Sequence, residues 1–460
     1  MAMGIVNRRS PHPAGRQVRP AGFAVLAIAA SAVALAPIHA ADRGGAAPGS
    51  SSIASTIGAT AIAQFYDARG GTPMWLAGGQ QDAAHRLMTL LATSELDGVN
   101  PRQFNLRALQ KAVRRAGSGN RADVDRADRM LSEAFLRHVA AVRRIGSTEW
   151  QFVDREAAPS APRVSELLRQ AAATGSLGAF IDNMTWMHES YAGLRASLAE
   201  ALQRGDRVAA ARIRLNMERT RMLPASGRYV LVNTAAQRLY MYEHGRVVDW
   251  MRVVVGKPAQ PTPMMAALIR YTAVNPYWNL PSDLVAERIA PNVVKSGLPY
   301  LKSKGYVVLS DWGDTPKRID PSTIDWNAVA AGKVELRMRQ NPGPANAMGR
   351  MKFMFPNKEG IYLHDTPNKE LLDQDGRLLS AGCVRLEDAP RLAQWLYGRP
   401  LKVPKGGKPE QRVDLDQPVP VYLAYLTAVP SGTSTVFYED IYGRDARRMA
   451  AAGVGQVASR

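Results

Sequence analysis

"LPASGRYVLVNTAAQRLYMYEHGRVVDWMRVVVGK", residues 223–257, is the stretch on which the reading of the fold turns. Within it the apolar residues of "RYVLVN", "RLYMYE" and "VVDWMRVVVG" recur every second position, the period of a pleated strand with one face buried. His244-Gly245 sits between two such runs and reads as the turn of a β-hairpin. Pro224, just upstream, marks a boundary, because the chain before it obeys a different period.

N-terminal to that boundary, from about residue 53, the pattern is helical. "DAAHRLMTLLATSELDG" (82–98) and "LSEAFLRHVAAVRRIG" (131–146) carry apolar residues three and four apart, and each closes on glycine. "YAGLRASLAEALQRGDRVAAARIRLNMERTRML" (191–223) continues as one or two long amphipathic helices. Downstream, "RMKFMFPNKEGIYLHD" (350–365) predicts two strands around a Pro-Asn-Lys-Glu-Gly turn. "EDAPRLAQWLYG" (387–398) predicts a short helix with acidic residues and Pro390 at its start and Gly398 at its end. Between about 282 and 345 no clean period holds, and Tyr300, Tyr306, Trp312 and Trp326 are scattered among charges. An insertion of this kind in a rigid scaffold is expected to shape a binding site or cover it.

The first forty residues read as an address. Arg8, Arg9, Arg16 and Arg19 precede the apolar run "AGFAVLAIAASAVALA" (21–36), and small residues follow at each plausible cleavage point. This is the pattern of a secretory signal peptide, too short to span a bilayer with ease. An uncleaved anchor is the alternative. "ADRGGAAPGSSS" (41–52) then has the composition of a flexible linker.

Formal charge is +19, of which the leader's four arginines carry four, leaving +15 on the exported part. Such a balance favours an acidic partner. Export and the lack of a finger, helix-turn-helix or RNA-binding signature argue against nucleic acid, and an anionic envelope polymer fits better. Seven histidines stand singly and there is one cysteine, so no metal-ligand cluster is expected and no cofactor is implied.

That cysteine is Cys383, in "HDTPNKELLDQDGRLLSAGCVRL" (364–386), nineteen residues after His364. An exported protein uses cysteines in pairs, so an unpaired one is either a buried hydrophobe or a reactive thiol. "IYLHD" puts Tyr362 and His364 on one strand face, and Asp365-Thr366-Pro367 turns the chain out of the sheet. A loop returns to "SAGCVRL", where a strand can resume. Two strand ends joined in this way can bring an imidazole to a thiol, the base to the nucleophile. Gly382 allows a sharp turn, and the backbone around Ala381, Gly382 and Cys383 is expected to offer amides to an oxyanion. Arg385 shares a strand face with Cys383 and adds positive charge. No side chain is evident to orient His364; Asp365 points to the other face, so a backbone carbonyl is expected instead.

"HDTP…SAGCVR" resembles the active-site signature of the L,D-transpeptidases, the YkuD-type catalytic domain, in its large proteobacterial, YcbB-like branch. "NMERTRMLP", "VVVGKPAQPTP", "NPYWNLP", "RQNPGPANAMGRMKFMFPN", "PVPVYLAYLTA" and "VFYEDIYGRD" are similar to further blocks of that domain, and "FYDARGGTPMWL" and "ELDGVNP" to the branch's helical scaffold. The resemblance covers about residues 60 to 447. It departs from the common Ser-His-Gly-Cys pattern at Ala381, and nothing between 190 and 222 resembles the branch's peptidoglycan-binding module.

The resemblance implies an α+β protein: signal peptide 1–40, linker 41–52, helical scaffold domain 53–222, β-rich catalytic domain 223–447 with a capping insertion over 282–345, and a tail 448–460. It implies Cys383 as nucleophile, His364 as general acid and base, and Arg385, Tyr362 and Trp278 as substrate contacts. The implied partner is the peptidoglycan tetrapeptide stem of the meso-diaminopimelate type, met in the periplasm, with the membrane involved only through an uncleaved leader. 3→3 cross-linking is the leading outcome. L,D-carboxypeptidase activity, attachment of protein to the wall, and a non-catalytic wall-binding role are the alternatives.

Overall fold

The structure is a computed structural model, and it describes residues 50–78, 81–144, 149–159, 163–313, 315–403 and 407–454. The leader and most of the expected linker lie outside the described residues. Ser50–Ser52, expected as the linker's end, instead form the first turn of helix α1 (Ser50–Asp67), whose later turns bury Ile62, Phe65 and Tyr66. That apolar stripe anchors the helix, and helical propagation carries it back through the serines.

Seven further helices follow: α2 (Gln81–Ala92), α3 (Leu106–Ala116), α4 (Arg121–Arg144), α5 (Val164–Ala172), α6 (Leu177–Asp182), α7 (Ser190–Gln203) and α8 (Arg207–Thr220). They share one apolar core that includes Trp75, Leu87, Leu131, Phe135, Leu168, Phe180 and Leu194. The 191–223 stretch is a helical hairpin, turned at Gly205 (φ 70°) and capped by the Asp206 side chain on the amide of Ala209.

Two buried carboxylates hold this helical region internally. Asp128 on α4 accepts from the Tyr66 hydroxyl (2.5 Å) and from the amides of Met74 (2.7 Å), Trp75 (2.7 Å) and Leu76 (2.8 Å). Asp97 accepts from His138 (3.3 Å), Tyr191 (3.1 Å) and Arg195 (3.0 Å). The neighbouring cations hold the Asp97 carboxyl below its ordinary range although burial pushes it upward.

The β-rich region starts at Tyr229. Its strands are β1 (Gln151–Phe152, lent by the helical part), β2 (Tyr229–Asn233), β3 (Arg238–Glu243), β4 (Arg246–Gly256) and β5 (Met265–Val274). Next come β6 (Trp278–Leu280), β7 (Tyr306–Leu309), β8 (Arg318–Ile319) and β9 (Arg337–Gln340). The last are β10 (Met351–Met354), β11 (Leu363–His364), β12 (Leu378–Ser380), β13 (Val384–Leu386), β14 (Gln411–Ala424), β15 (Ala428–Ser431) and β16 (Ser434–Phe437). Eight of them close on themselves in the order β2-β3-β4-β13-β11-β10-β5-β14, because β14 pairs with β5 on one side and with β2 on the other.

The β3–β4 turn is the expected hairpin: His244 (φ 51°) and Gly245 (φ 77°) both take the left-handed conformation a two-residue turn demands. The strand β2 departs from simple alternation, since all five of its residues are buried. Val230 and Val232 face the interior of the closed sheet, while Tyr229 and Leu231 face a second apolar layer with Trp150, Met222 and Tyr422. That layer joins the helical and β-rich parts, and Arg219 of α8 adds ion pairs to Asp445 (2.6 Å) and Glu149 (3.0 Å).

Strands β6, β9, β7 and β8 make a separate four-stranded sheet with its own core of Leu280, Val285, Ile289, Val293, Val308, Trp326 and Met338. This cap is ordered as a small hydrophobic unit over Trp278–Gln340, a span that includes the strand before residue 282.

Candidate active site

Parallel pairing of β11 with β13 sets Leu363 against Val384 and His364 against Arg385. Parallel neighbours need a crossover connection, and the loop 365–383, with its short helix Lys369–Leu372 and the strand β12, supplies it. Leu363, Val384 and Leu386 point into the apolar interior. By the pleat, Tyr362, His364, Cys383 and Arg385 share the opposite face. The amide of Val384 donates to the Tyr362 carbonyl (3.0 Å), which puts Cys383 beside Tyr362 and makes it a diagonal neighbour of His364. Strand β10 adds a fifth member: Lys352 is paired with His364, its ammonium lies 5.1 Å from the centre of the Tyr362 ring, and it bonds Glu410 (3.2 Å).

His364 is buried, and its Nδ1 lies 2.6 Å from the carbonyl oxygen of Asp365. A carbonyl only accepts, so Nδ1 carries the proton and Nε2 keeps its lone pair. Burial, then Arg385, push the imidazole down to about 3, against the smaller opposing pull of Asp365 and with help from Lys352. It is therefore neutral at neutral pH. The Asp365 carboxylate turns away to the amide of Arg350 (3.0 Å) and to Lys369 (2.8 Å), so only its backbone orients the ring.

Cys383 is a free thiol, and its Sγ donates to the carbonyl of Gly360 (3.6 Å). Burial pushes the thiol up, and a backbone hydrogen bond at Tyr362, Arg385 and Lys352 oppose that shift without cancelling it. The resting pair is thus neutral thiol and neutral imidazole.

The expected oxyanion amides need a correction. Gly382 has the glycine-only φ of 104°, and a Cβ there would meet Ile361 Cδ1 at 3.0 Å. Its amide, however, donates to Ser380 Oγ (3.2 Å), and Ser380 in turn donates to the Cys383 carbonyl (2.5 Å). This small ring occupies the Gly382 N–H and does not engage the amide of Cys383. Ala381 takes no part in these bonds and forms the half-buried tip of the turn. Thr262, which the sequence did not single out, donates to the Gly382 carbonyl (2.8 Å) from within "VVVGKPAQPTP". Trp278 is on β6, half-buried against the core of the four-stranded unit.

Pairing with His364 places Arg385 on the site face, and it shares an orphaned, buried Nε with Arg143, Arg339 and Arg391. Burial, and then Arg288 of the cap, lower its affinity for a proton, so the site face carries more positive charge than it neutralises.

A closed β-sheet with a His-Cys pair on one outer face, joined to a helical region and to a second small sheet, is the architecture to be matched. Comparison with known families supplies the match. Residues 227–421 match the L,D-transpeptidase catalytic domain, YkuD, and residues 60–198 match the Scaffold domain. The chain thus carries an L,D-transpeptidase (YkuD) catalytic domain together with a Scaffold domain, the YcbB-like architecture. A protein of Haemophilus influenzae, provisionally named an L,D-transpeptidase, is 33% identical over 241 residues, 51% of this chain and 48% of that protein. The chain thus spans about half the length of that relative.

Two solved structures share 16% identity each with the chain. The Ldtfm–avibactam carbamoyl enzyme covers 44% of this chain and 51% of its own with a TM-score of 0.20. An L,D-transpeptidase from Mycobacterium smegmatis covers 43% and 58% with a TM-score of 0.21. Superpositions that loose leave the topology to be read from the strands themselves.

Proposed function

We propose that the chain is a periplasmic L,D-transpeptidase that forms 3→3 peptidoglycan cross-links through a thioester on Cys383. The observation that carries this reading is the single tautomer of His364: its Nδ1–H is held by the Asp365 carbonyl, so Nε2 is free to take a proton from the thiol diagonal to it.

The chemistry runs in two balanced halves. Cys383 Sγ attacks the carbonyl between diaminopimelate and the terminal D-Ala while its proton moves to His364 Nε2. The oxyanion is met by the Cys383 amide and the surrounding positive charge. The C–N bond then breaks, His364 returns the proton to the leaving amine, and free D-Ala departs. The side-chain amine of a second stem attacks the thioester, gives its proton to His364, and the thiol is restored by that proton. Amide energy is kept in the thioester, so no cofactor is required. The exported setting rests on the leader pattern in residues 1–40 and on the anionic wall that the basic charge suits.

Intact-protein mass spectrometry with a disaccharide-tetrapeptide tests the reading. The wild-type chain should gain the mass of the disaccharide-tripeptide acyl group on Cys383 and release D-Ala, and Cys383→Ser should do neither at a comparable rate. D-Ala release by Cys383→Ser at near wild-type rate would overturn it. His364→Ala should slow acylation by about 10²- to 10⁴-fold, the range for a general base.

A further inference from the structure

The expected cap is tied by polar contacts to the loop that supports the Cys383 turn. Its first segment, Ser282–Leu284, runs into a π-helical turn, Val285–Ile289, a form of helix that recurs at functional positions. Two polar contacts tie this segment to the β4–β5 loop: Gln260 Nε2 donates to Asp283 (3.3 Å), and Lys257 pairs with Glu287 (3.9 Å). The same loop holds the Gly382 carbonyl through Thr262 (2.8 Å). Arg288, the next residue on the π-turn after Glu287, is exposed, and its positive charge acts on Arg385.

Two guanidiniums placed near one another repel, and Arg does not escape by losing its proton. Some guanidiniums in the fold are neutralised, Arg219 by Asp445 and Glu149, Arg195 by Asp97 and Arg252 by Glu387, whereas the Nε of Arg143, Arg339 and Arg391 is orphaned like that of Arg385. Among the described residues neither Arg288 nor Arg385 forms an ion pair, and the buried Nε of Arg385 lacks any acceptor. Two guanidiniums with no counter-ion offer the planar forks of donors that a carboxylate complements.

We propose that Arg288 and Arg385 form a two-armed clamp for the α-carboxylate of the D-configured residue whose nitrogen reacts at Cys383. The inference rests on the transpeptidase reading and names the group that its substrate presents. The position follows from the pairing of Arg385 with His364. His364 has to stand at the leaving nitrogen to protonate it, and the α-carboxylate is one carbon beyond that nitrogen. The acceptor amine of the second stem also sits on a carbon that bears a carboxylate. One clamp therefore serves the residue that leaves and the residue that enters. Because one arm belongs to the cap, the carboxylate also draws the cap onto the site.

The test compares a tetrapeptide ending in D-Ala with the same peptide ending in D-alaninamide. Binding is measured by calorimetry to the full chain carrying Cys383→Ala, so that no turnover is needed, and kcat/KM is measured on the wild type. The acid should be preferred about ten- to a hundredfold in both assays, the range of a charge-assisted pair. Arg288→Ala should shrink that preference to a few-fold and Arg288→Lys should keep part of it. Circular dichroism and Tm establish that the variants fold.

An acid-to-amide ratio unchanged in Arg288→Ala, or a wild type that does not discriminate, overturns the clamp. A Cys383→Ala chain that prefers the acid through Arg288, alongside a wild type that releases no D-Ala, upholds the clamp and overturns the transpeptidase reading.

Discussion

Buried charge is handled in opposite ways in the two halves of the molecule. In the scaffold, the Asp128 carboxylate is fully buried and meets four donors, and Asp97 meets an arginine, a tyrosine and a histidine. Both sites are complete, and nothing about them invites a ligand. On the outer face of the catalytic sheet, Arg385 keeps an orphaned Nε, Arg288 has no counter-ion among the described residues, and the Cys383 thiol is pushed up by burial. A satisfied charge fixes a fold, whereas an unsatisfied one stores a demand that a substrate can meet.

The contrast is sharpest in mutants that remove one charge from each half. Asp128→Ala strands the amides of Met74, Trp75 and Leu76 and leaves the Tyr66 hydroxyl to Ser132, and should cost about 3–5 kcal/mol, the range for breaking a buried charged network. Thermal or urea unfolding would read this as a large fall in stability. The Cys383 mass-adduct assay at low temperature, on the fraction still folded, should change little. A stability loss under about 1 kcal/mol would mean that the network is not what holds the 68–78 loop to α4.

Arg385→Met should do the reverse. The methionine fills the same volume without a buried, unpartnered cation, so Tm is expected to stay level or rise. Activity on tetrapeptide should fall about 10²-fold, equal to roughly 2.7 kcal/mol of lost transition-state stabilisation. A drop in Tm of several degrees with activity retained would place Arg385 among structural residues and dissolve the comparison.

How much of this was legible in the sequence follows the same division. Local rules carried far: the switch of period at Pro224, the His244-Gly245 hairpin, and the helix Ala389–Tyr397 with Asp388 capping Arg391 and Gly398 closing it at φ 65°. The His364–Cys383 relation was also readable, because a single crossover loop makes it nearly local. Non-local pairing was not. Closure of the sheet needs β14 to find β5, some 150 residues earlier, and no period in either strand announces the partner.

The burial of both faces of β2 depends on the helical region packing on it, which alternation alone cannot convey. Asp128 hides in "RADVDRADRM", a charge-rich run that reads as the solvated side of a helix. Its partners lie in "FYDARGGTPMWL", a motif noticed only through family resemblance, and the carboxylate is the physical reason for that motif. Arg288 lies in a stretch without a period, where position relative to the site has no sequence signature. The engagement of the Gly382 amide by Ser380 depends on one rotamer.

The two halves each bury a neutral histidine, and acid should expose both. His188, in the scaffold, and His364, at the site, are each lowered to about 3, mainly by burial and next by a nearby arginine. In the unfolded chain both return to an ordinary value near 6.5. Between about pH 6.5 and pH 3 the unfolded state therefore binds more protons than the native state, and stability falls as pH falls through that window. Each histidine contributes a slope of up to about 1.4 kcal/mol per pH unit. His188→Phe should flatten the acid limb of a Tm–pH curve by its own share and leave activity at neutral pH in place. The rate profile of the wild type should show no histidine limb near pH 6.5. An inflection there in alkylation of Cys383 by iodoacetamide, in place of a rise beyond the ordinary thiol range, would mean that His364 is charged in the resting site.

The smallest expected effect belongs to the contact that joins cap to sheet. Lys257 and Glu287 are 3.9 Å apart, with a third and a half of their side-chain surfaces exposed, so in stability their pair is worth about 0.2–1 kcal/mol at most. A similar exposed pair in the scaffold, Arg86 with Asp82, spans one helical turn, with Arg86 also reaching Asp182 of α6, and lies outside the catalytic domain. Lys257→Ala and Asp82→Ala should then shift Tm alike, by about a degree or less. They should differ in function. If the latch steadies the π-turn that presents Arg288, Lys257→Ala should reduce discrimination between acid and amide substrates by a factor of about two to five, the kinetic equivalent of that energy. Asp82→Ala should leave it unchanged. Salt at 1 M, which shortens the screening length to about 3 Å, should reproduce part of the Lys257→Ala effect in the wild type and add little to the mutant. Equal discrimination in both variants, with the wild-type ratio indifferent to salt, would show that the cap holds Arg288 in place through its hydrophobic core alone.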